Sequence, residues 1–235
     1  MRGPYSDYAA PPIYITPDRP KAGVRFSRTE LYQLLVAILA LSGAFTVLFI
    51  RYDFRGFATQ PGVFLAIYFP TSLLAVGTGV GLHEVMHKVV AQRYGLWAEF
   101  RYNPQGLLLA FIFALVGFIF GAPGATWISG SVTPRQNGRI SAAGPVTNLL
   151  IGAGSFAVLR AVAVGPLPIS LANFALVTMV SEVAIVNAIL AGFNMLPMMP
   201  LDGAKVWHWN KGVYLGIAAI AAVLIVAVFT NAFSV

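Results

Sequence analysis

The chain of 235 residues contains no cysteine. That excludes a disulfide framework and any thiolate metal site, so a metal could be held only by histidine or carboxylate. Charge is scarce too: Asp, Glu, Lys and Arg make up 10% of the residues, against 58% hydrophobic. With a mean hydropathy of +0.77, so little charge excludes a water-soluble domain. The apolar runs are long enough for spanning helices rather than barrel strands. The reading is an all-α polytopic protein of the lipid bilayer. The net charge of +7 does not call for nucleic acid. The basic residues cluster at the ends of apolar runs, where positive-inside topology and lipid headgroups account for them.

Histidine is the third scarcity, with three in the chain. Two of them lie in His83-Glu84-Val85-Met86-His87, inside the apolar run from Val63 to Val90. On a helix, positions four apart share a face, so both rings can aim a nitrogen at one point. Glu84 is not a ligand by this spacing, but it lies beside the same point. Two imidazoles with an adjacent carboxylate suit zinc-assisted peptide hydrolysis. The metal holds and acidifies a water, and the glutamate takes the proton and later returns it to the leaving amine. Ionisable groups in lipid-facing surroundings are costly and mark function.

Residues 1–30 form a tail with Pro4, Pro11, Pro12, Pro17 and Pro20 and interspersed Tyr5, Tyr8 and Tyr14, expected to be extended. The membrane domain is read as 31–235. Arg19, Lys21, Arg25 and Arg28 precede the first apolar run, which places the N-terminus in the cytoplasm of a multi-pass cell-membrane protein. No small-residue cleavage site follows that run, so it reads as a span rather than a signal peptide. Spans are expected at 31–50, 63–92, 140–164, 170–209 and 212–234. Lys88, Arg93 and Arg101 close the second span on the cytoplasmic side. Pro197 and Pro200 break the fourth near 197–203, and Gly165-Pro166-Leu167-Pro168 makes a tight turn before it. Leu107 to Phe120 is too short for a comfortable span. Phe111, Ile112, Phe113, Val116, Phe118 and Ile119 favour extended structure, with bends allowed at Gly117 and Gly121. Segment 107–121 is therefore expected to be re-entrant and β-like.

Three motifs carry a family resemblance: His83-Glu84-x-x-His87, Gly144-Pro145-x-x-Asn148, and Asn194-x-x-Pro197-x-x-Pro200-Leu201-Asp202-Gly203. Over roughly Leu74 to Ala204 the chain resembles the site-2 protease family of intramembrane zinc metalloproteases. Phe120-Gly-Ala-Pro-Gly-Ala125 resembles the glycine-rich segment of its compact microbial members, which lack PDZ and CBS domains. The resemblance implies one zinc per chain held by His83, His87 and Asp202, with Glu84 as general base. It also implies a single-span membrane protein as substrate, cut within the membrane. One apolar run follows the Leu-Asp-Gly motif, where some compact relatives carry two.

Depth supports this grouping. His83 and His87 lie about 9–15 Å in from Arg93 at helical rise, and Asn148 and Asp202 lie about nine residues in from Arg139 and Lys211. These three stretches reach one layer from the cytoplasmic side only if 107–121 enters and returns. His208, between Trp207 and Trp209 beside Lys211, reads as an interfacial residue rather than a ligand. Asn148 has two readings: a helix-joining hydrogen bonder, or a catalytic donor to the oxyanion or substrate backbone. Asn194 either shares in the site or satisfies backbone groups freed by the prolines. Glu182 reads as structural, and Gly77, Gly79 and Gly81 as close-packing positions. A polytopic metal-ion or proton transporter, and a non-catalytic membrane scaffold, are the alternative functions.

Overall fold

The computed structural model describes residues 23–119, 121–163 and 170–232. Most of the proline-bearing tail, Phe120 and the turn at 165–168 lie outside the described residues.

Five helical stretches are long and apolar enough to cross a membrane, and the protein is a multi-pass membrane protein. The first, α1 (Arg28–Tyr52), starts where the Ser27 side chain accepts from Glu30 N at 3.1 Å, an N-cap. A short α2 (Phe54–Thr59) leads to Pro61, the first residue of α3 (Pro61–Val76). A π-helical turn, Gly77–Gly81, joins α3 to α4 (Leu82–Arg93), so this second stretch runs from Pro61 to Arg93. Strand β1 (Trp97–Tyr102), helix α5 (Pro104–Val116) and strand β2 (Gly124–Ser129) follow. Then come α6 (Pro134–Ala163), α7 (Leu171–Asn194), the short α8 (Asp202–Trp209) and α9 (Lys211–Ala232). Small residues let α6, α7 and α9 approach closely: Ala142, Ala184, Ala188, Ala191 and Ala221 lie in one buried cluster with Leu149, Leu224 and Val228. This is how spanning helices pack when lipid offers no hydrophobic drive.

The β-like expectation for 107–121 is corrected here. Residues 104–116 are helical, and the strands lie on either side. The local signals were present. Asn103 accepts from Gln105 N at 3.1 Å and Gly106 N at 3.2 Å, Pro104 takes the first helical position, and Gly117 ends the helix at φ +111°. A helix satisfies its own backbone at membrane depth, which an isolated strand cannot do. The return of the segment follows from the sheet. β1 and β2 pair antiparallel with Tyr102 opposite Gly124, and Asn103 N donates to Pro123 O at 2.8 Å. Both ends of the excursion therefore sit at one end of the bundle. Its apex reaches the other end of α1, where Arg51 Nη1 donates to Leu115 O and the Tyr52 hydroxyl to Gly117 O, each at 2.9 Å.

Lys88 also departs from its reading as a topological charge. It is 1% exposed and ion-paired with Glu30, itself 1% exposed. The other carboxylate oxygen of Glu30 accepts from Phe100 N at 3.1 Å. One pair of side chains thus ties α1, α4 and β1 together beneath the His-Glu-x-x-His turn.

Candidate metal centre

The π-turn delivers α4 to the middle of the bundle with His83 and His87 on its inner face, 4% and 7% exposed. Each ring is held at Nδ1. His83 Nδ1 lies 2.5 Å from Asn148 Oδ1 on α6, and His87 Nδ1 lies 2.7 Å from Ile140 O on the same helix. A carbonyl only accepts, so Nδ1 of His87 carries the proton and its Nε2 presents a lone pair. Asn148 Oδ1 dictates the same arrangement for His83. The two Nε2 atoms face each other at 3.0 Å. Asp202, at the first turn of α8, places Oδ2 3.3 Å from His83 Nε2 and 3.0 Å from His87 Nε2. Its Oδ1 faces Lys205 Nζ at 3.6 Å.

Gly144 makes room for this convergence. A Cβ there would lie 2.6 Å from His83 Cε1, His83 Nε2 and His87 Nε2. Glu84 stands at the rim, with a carboxylate oxygen within 4.8 Å of the histidine nitrogens. Its Oε2 accepts from both Thr126 N and Thr126 Oγ1 at 2.8 Å. Phe100 and Thr126 are register partners, and their N–H groups point away from each other, to Glu30 and to Glu84. The sheet is therefore clamped to α1 on one edge and to the site on the other.

Five sequence-derived residues, His83, Glu84, His87, Asn148 and Asp202, thus come together. His208 is exposed, Glu182 is buried against Ser72 at 3.2 Å, and Asn194 donates to Leu190 O on its own helix. Asn148 is placed in the site, but not as an oxyanion donor. Both hydrogens of its Nδ2 are engaged, by Gly79 O at 2.7 Å and Asn187 Oδ1 at 2.9 Å. Sequence reasoning missed Thr126, on a strand to which it gave no structure, and Asn187. Asn148 stands out by its motif and its depth, which Asn187 lacks; the cost of a polar residue in a spanning helix is the signal that could have found Asn187.

Comparison with known proteins decides the family. Over 192 residues, 81% of this chain and 89% of the relative, the sequence is 38% identical to a protein of Methanocaldococcus jannaschii provisionally named a zinc metalloprotease. The chain belongs to the site-2 protease family of zinc metalloproteases. Rip3 of Mycobacterium tuberculosis, likewise provisionally named a zinc metalloprotease, is 33% identical over 156 residues, 62% of this chain and 33% of Rip3. No family model matches the chain, and no solved structure matches it. As a site-2 protease relative the protein is a membrane metalloprotease, and zinc is its metal. The donor set fits that ion. Two imidazole lone pairs and a carboxylate oxygen converge within 3.0–3.3 Å of one another, an arrangement that repels itself without a cation between the donors. Tetrahedral bonds of 2.0–2.1 Å set neighbouring ligands roughly 3.3 Å apart.

Proposed function

We propose that the protein is an intramembrane zinc metalloprotease that cuts a peptide bond in or near the transmembrane segment of a single-span membrane protein. The observation that carries this reading is the burial of His83, His87 and Asp202, with Glu84 beside them, among membrane-spanning helices. His83 Nε2, His87 Nε2 and Asp202 Oδ2 would hold the metal. Zinc bound there supplies Lewis acidity, polarising the scissile carbonyl and making water a nucleophile near neutral pH. Glu84 accepts the proton of the attacking water and passes it to the leaving amine, as general base and then general acid. Thr126 orients that carboxylate through its amide and hydroxyl. Asn148 holds the His83 ring.

The sheet offers a way to present the substrate. A transmembrane helix keeps its carbonyls in its own hydrogen bonds and must unwind before it can be cut. On β2 the main-chain groups of Gly124 and Ile128 and the carbonyl of Thr126 face away from β1, by strand alternation, while the Thr126 N–H is taken by Glu84. An unwound segment pairing there as an added strand would lie beside Glu84 and would be bound with little demand on its sequence. Arg25, Arg28, Arg93, Arg135, Arg139 and Lys211 gather at the end of the bundle from which α4 and α6 carry the site inward. The positive-inside rule makes that end cytoplasmic.

The test is co-expression of wild type and Glu84→Gln with a panel of single-span proteins, with product termini read by mass spectrometry. The expected result is a product made only by wild type, with its new terminus in or next to the apolar segment. Products whose termini fall only in water-soluble domains would contradict the reading.

A further inference from the structure

We infer that Asn187 on α7 is a positioning residue for the metal site, acting through Asn148 to keep Nε2 of His83 open for zinc. The inference rests on the reading of His83 as a zinc ligand. The two histidines are held differently. His87 Nδ1 faces a main-chain carbonyl at 2.7 Å, which can only accept, so its tautomer is fixed by the backbone. His83 Nδ1 faces a side-chain amide at 2.5 Å, and an amide has two unlike ends. With Oδ1 towards the ring, Nδ1 carries the proton and Nε2 is free. With the amide reversed, Nδ2 would donate to Nδ1, the proton would move to Nε2, and the ring could not bind a metal through that atom.

Two contacts set the orientation of Asn148. One is Gly79 O at 2.7 Å, in the π-helical turn Gly77–Gly81. The other is Asn187 Oδ1 at 2.9 Å. Asn187 is itself oriented, because its Nδ2 donates to Val183 O at 2.9 Å and to Thr78 Oγ1 at 3.2 Å. Both asparagines are fully buried. The N–H and C=O ends of both amides are all engaged, so reversing either would set like against like in a water-free interior. A carbonyl on α7 is thereby linked, through two amides, to the ring that faces Asp202. Partners that orient metal-binding histidines typically contribute 10–100-fold in metal affinity.

The experiment measures zinc affinity of the full chain in detergent by competition with a chromogenic chelator, alongside thermal melting. Asn187→Leu, close in shape but without an acceptor, should bind zinc at least about tenfold more weakly. Asn187→Asp in its neutral form, with the hydroxyl donating to Val183 O and the carbonyl accepting from Asn148, keeps both of these contacts and should stay near wild type. Asn148→Asp, which cannot donate to His83 while ionised and keeps an accepting oxygen when protonated, should restore most of the affinity in the Asn187→Leu background. A role in packing alone would not be rescued from a second position. Wild-type affinity in Asn187→Leu overturns the inference. So does failure of Asn148→Asp to restore affinity in a double variant that still melts cooperatively. If His83→Ala also keeps wild-type zinc affinity, the ligand assignment has failed, and this inference with it.

Discussion

Gly144→Ala is the smallest change that should close the metal site. The added methyl would stand 2.6 Å from His83 Cε1, His83 Nε2 and His87 Nε2, whereas carbon contacts are comfortable only from about 3.5 Å. Something must therefore move by nearly 1 Å (about the difference between those distances). The rings have little freedom, because His83 is held by Asn148 and His87 by Ile140 O. Displacing either ring breaks a buried hydrogen bond, which costs about 1–3 kcal/mol, and overpacking a filled interior costs a similar amount. At about 1.4 kcal/mol per factor of ten, zinc affinity should fall roughly 10–100-fold. The melting temperature of the metal-free protein should fall as well. Chelator competition and a thermal melt in detergent measure the two effects. Unchanged zinc affinity together with unchanged melting would show that residue 144 does not face the two rings, and the account of the site's shape would be refuted.

Three further outcomes follow from other contacts. Thr126→Val removes the hydroxyl that bonds Glu84 Oε2 but leaves the amide. Turnover should drop about tenfold, for the loss of roughly 1.4 kcal/mol from a charge-assisted bond, with KM and zinc content unchanged and Thr126→Ser near wild type; equal loss in Val and Ser variants would contradict the orienting role. Lys88→Met leaves Glu30 buried and unpaired, so it should destabilise the protein by about 3–5 kcal/mol, seen as a large fall in melting temperature that Glu30→Gln partly reverses in the double variant. Single cysteines at positions 105 and 136 should both label with a membrane-impermeant thiol reagent from the cytoplasmic face alone, whereas labelling of position 136 from outside would mean that the segment between them crosses the membrane.

Much of the site was legible in the sequence, because its chemistry sits in short motifs with helical spacing. His83 and His87 share a face by their separation, and counting residues in from flanking charges put Asn148 and Asp202 at the same depth. The structure joins all four. The misreadings have physical causes. Helix α5 hid behind aromatic and β-branched residues, although Asn103-Pro104 and Gly117 mark its start and stop. Propensity gave way to the need for a backbone satisfied at membrane depth. Lys88 looked like an interfacial charge because its partner, Glu30, is 58 positions away. The oxyanion role for Asn148 failed on a count that only coordinates allow, since both of its N–H groups already have acceptors. Thr126 acquires its place through pairing with Phe100 across a 21-residue excursion (residues 103–123), which no local pattern encodes.

The central claim is that side chains from two distant stretches hold one zinc in the membrane interior. The metal content of purified Asp202→Ala tests it most directly, measured by mass spectrometry beside wild type, His83→Ala, Glu84→Gln and His208→Ala. Wild type, Glu84→Gln and His208→Ala should each carry about one zinc per chain, as two histidines and one carboxylate with an open position require. Asp202→Ala and His83→Ala should each have lost most of it. Full zinc retention in Asp202→Ala, in protein that is folded, would contradict the account.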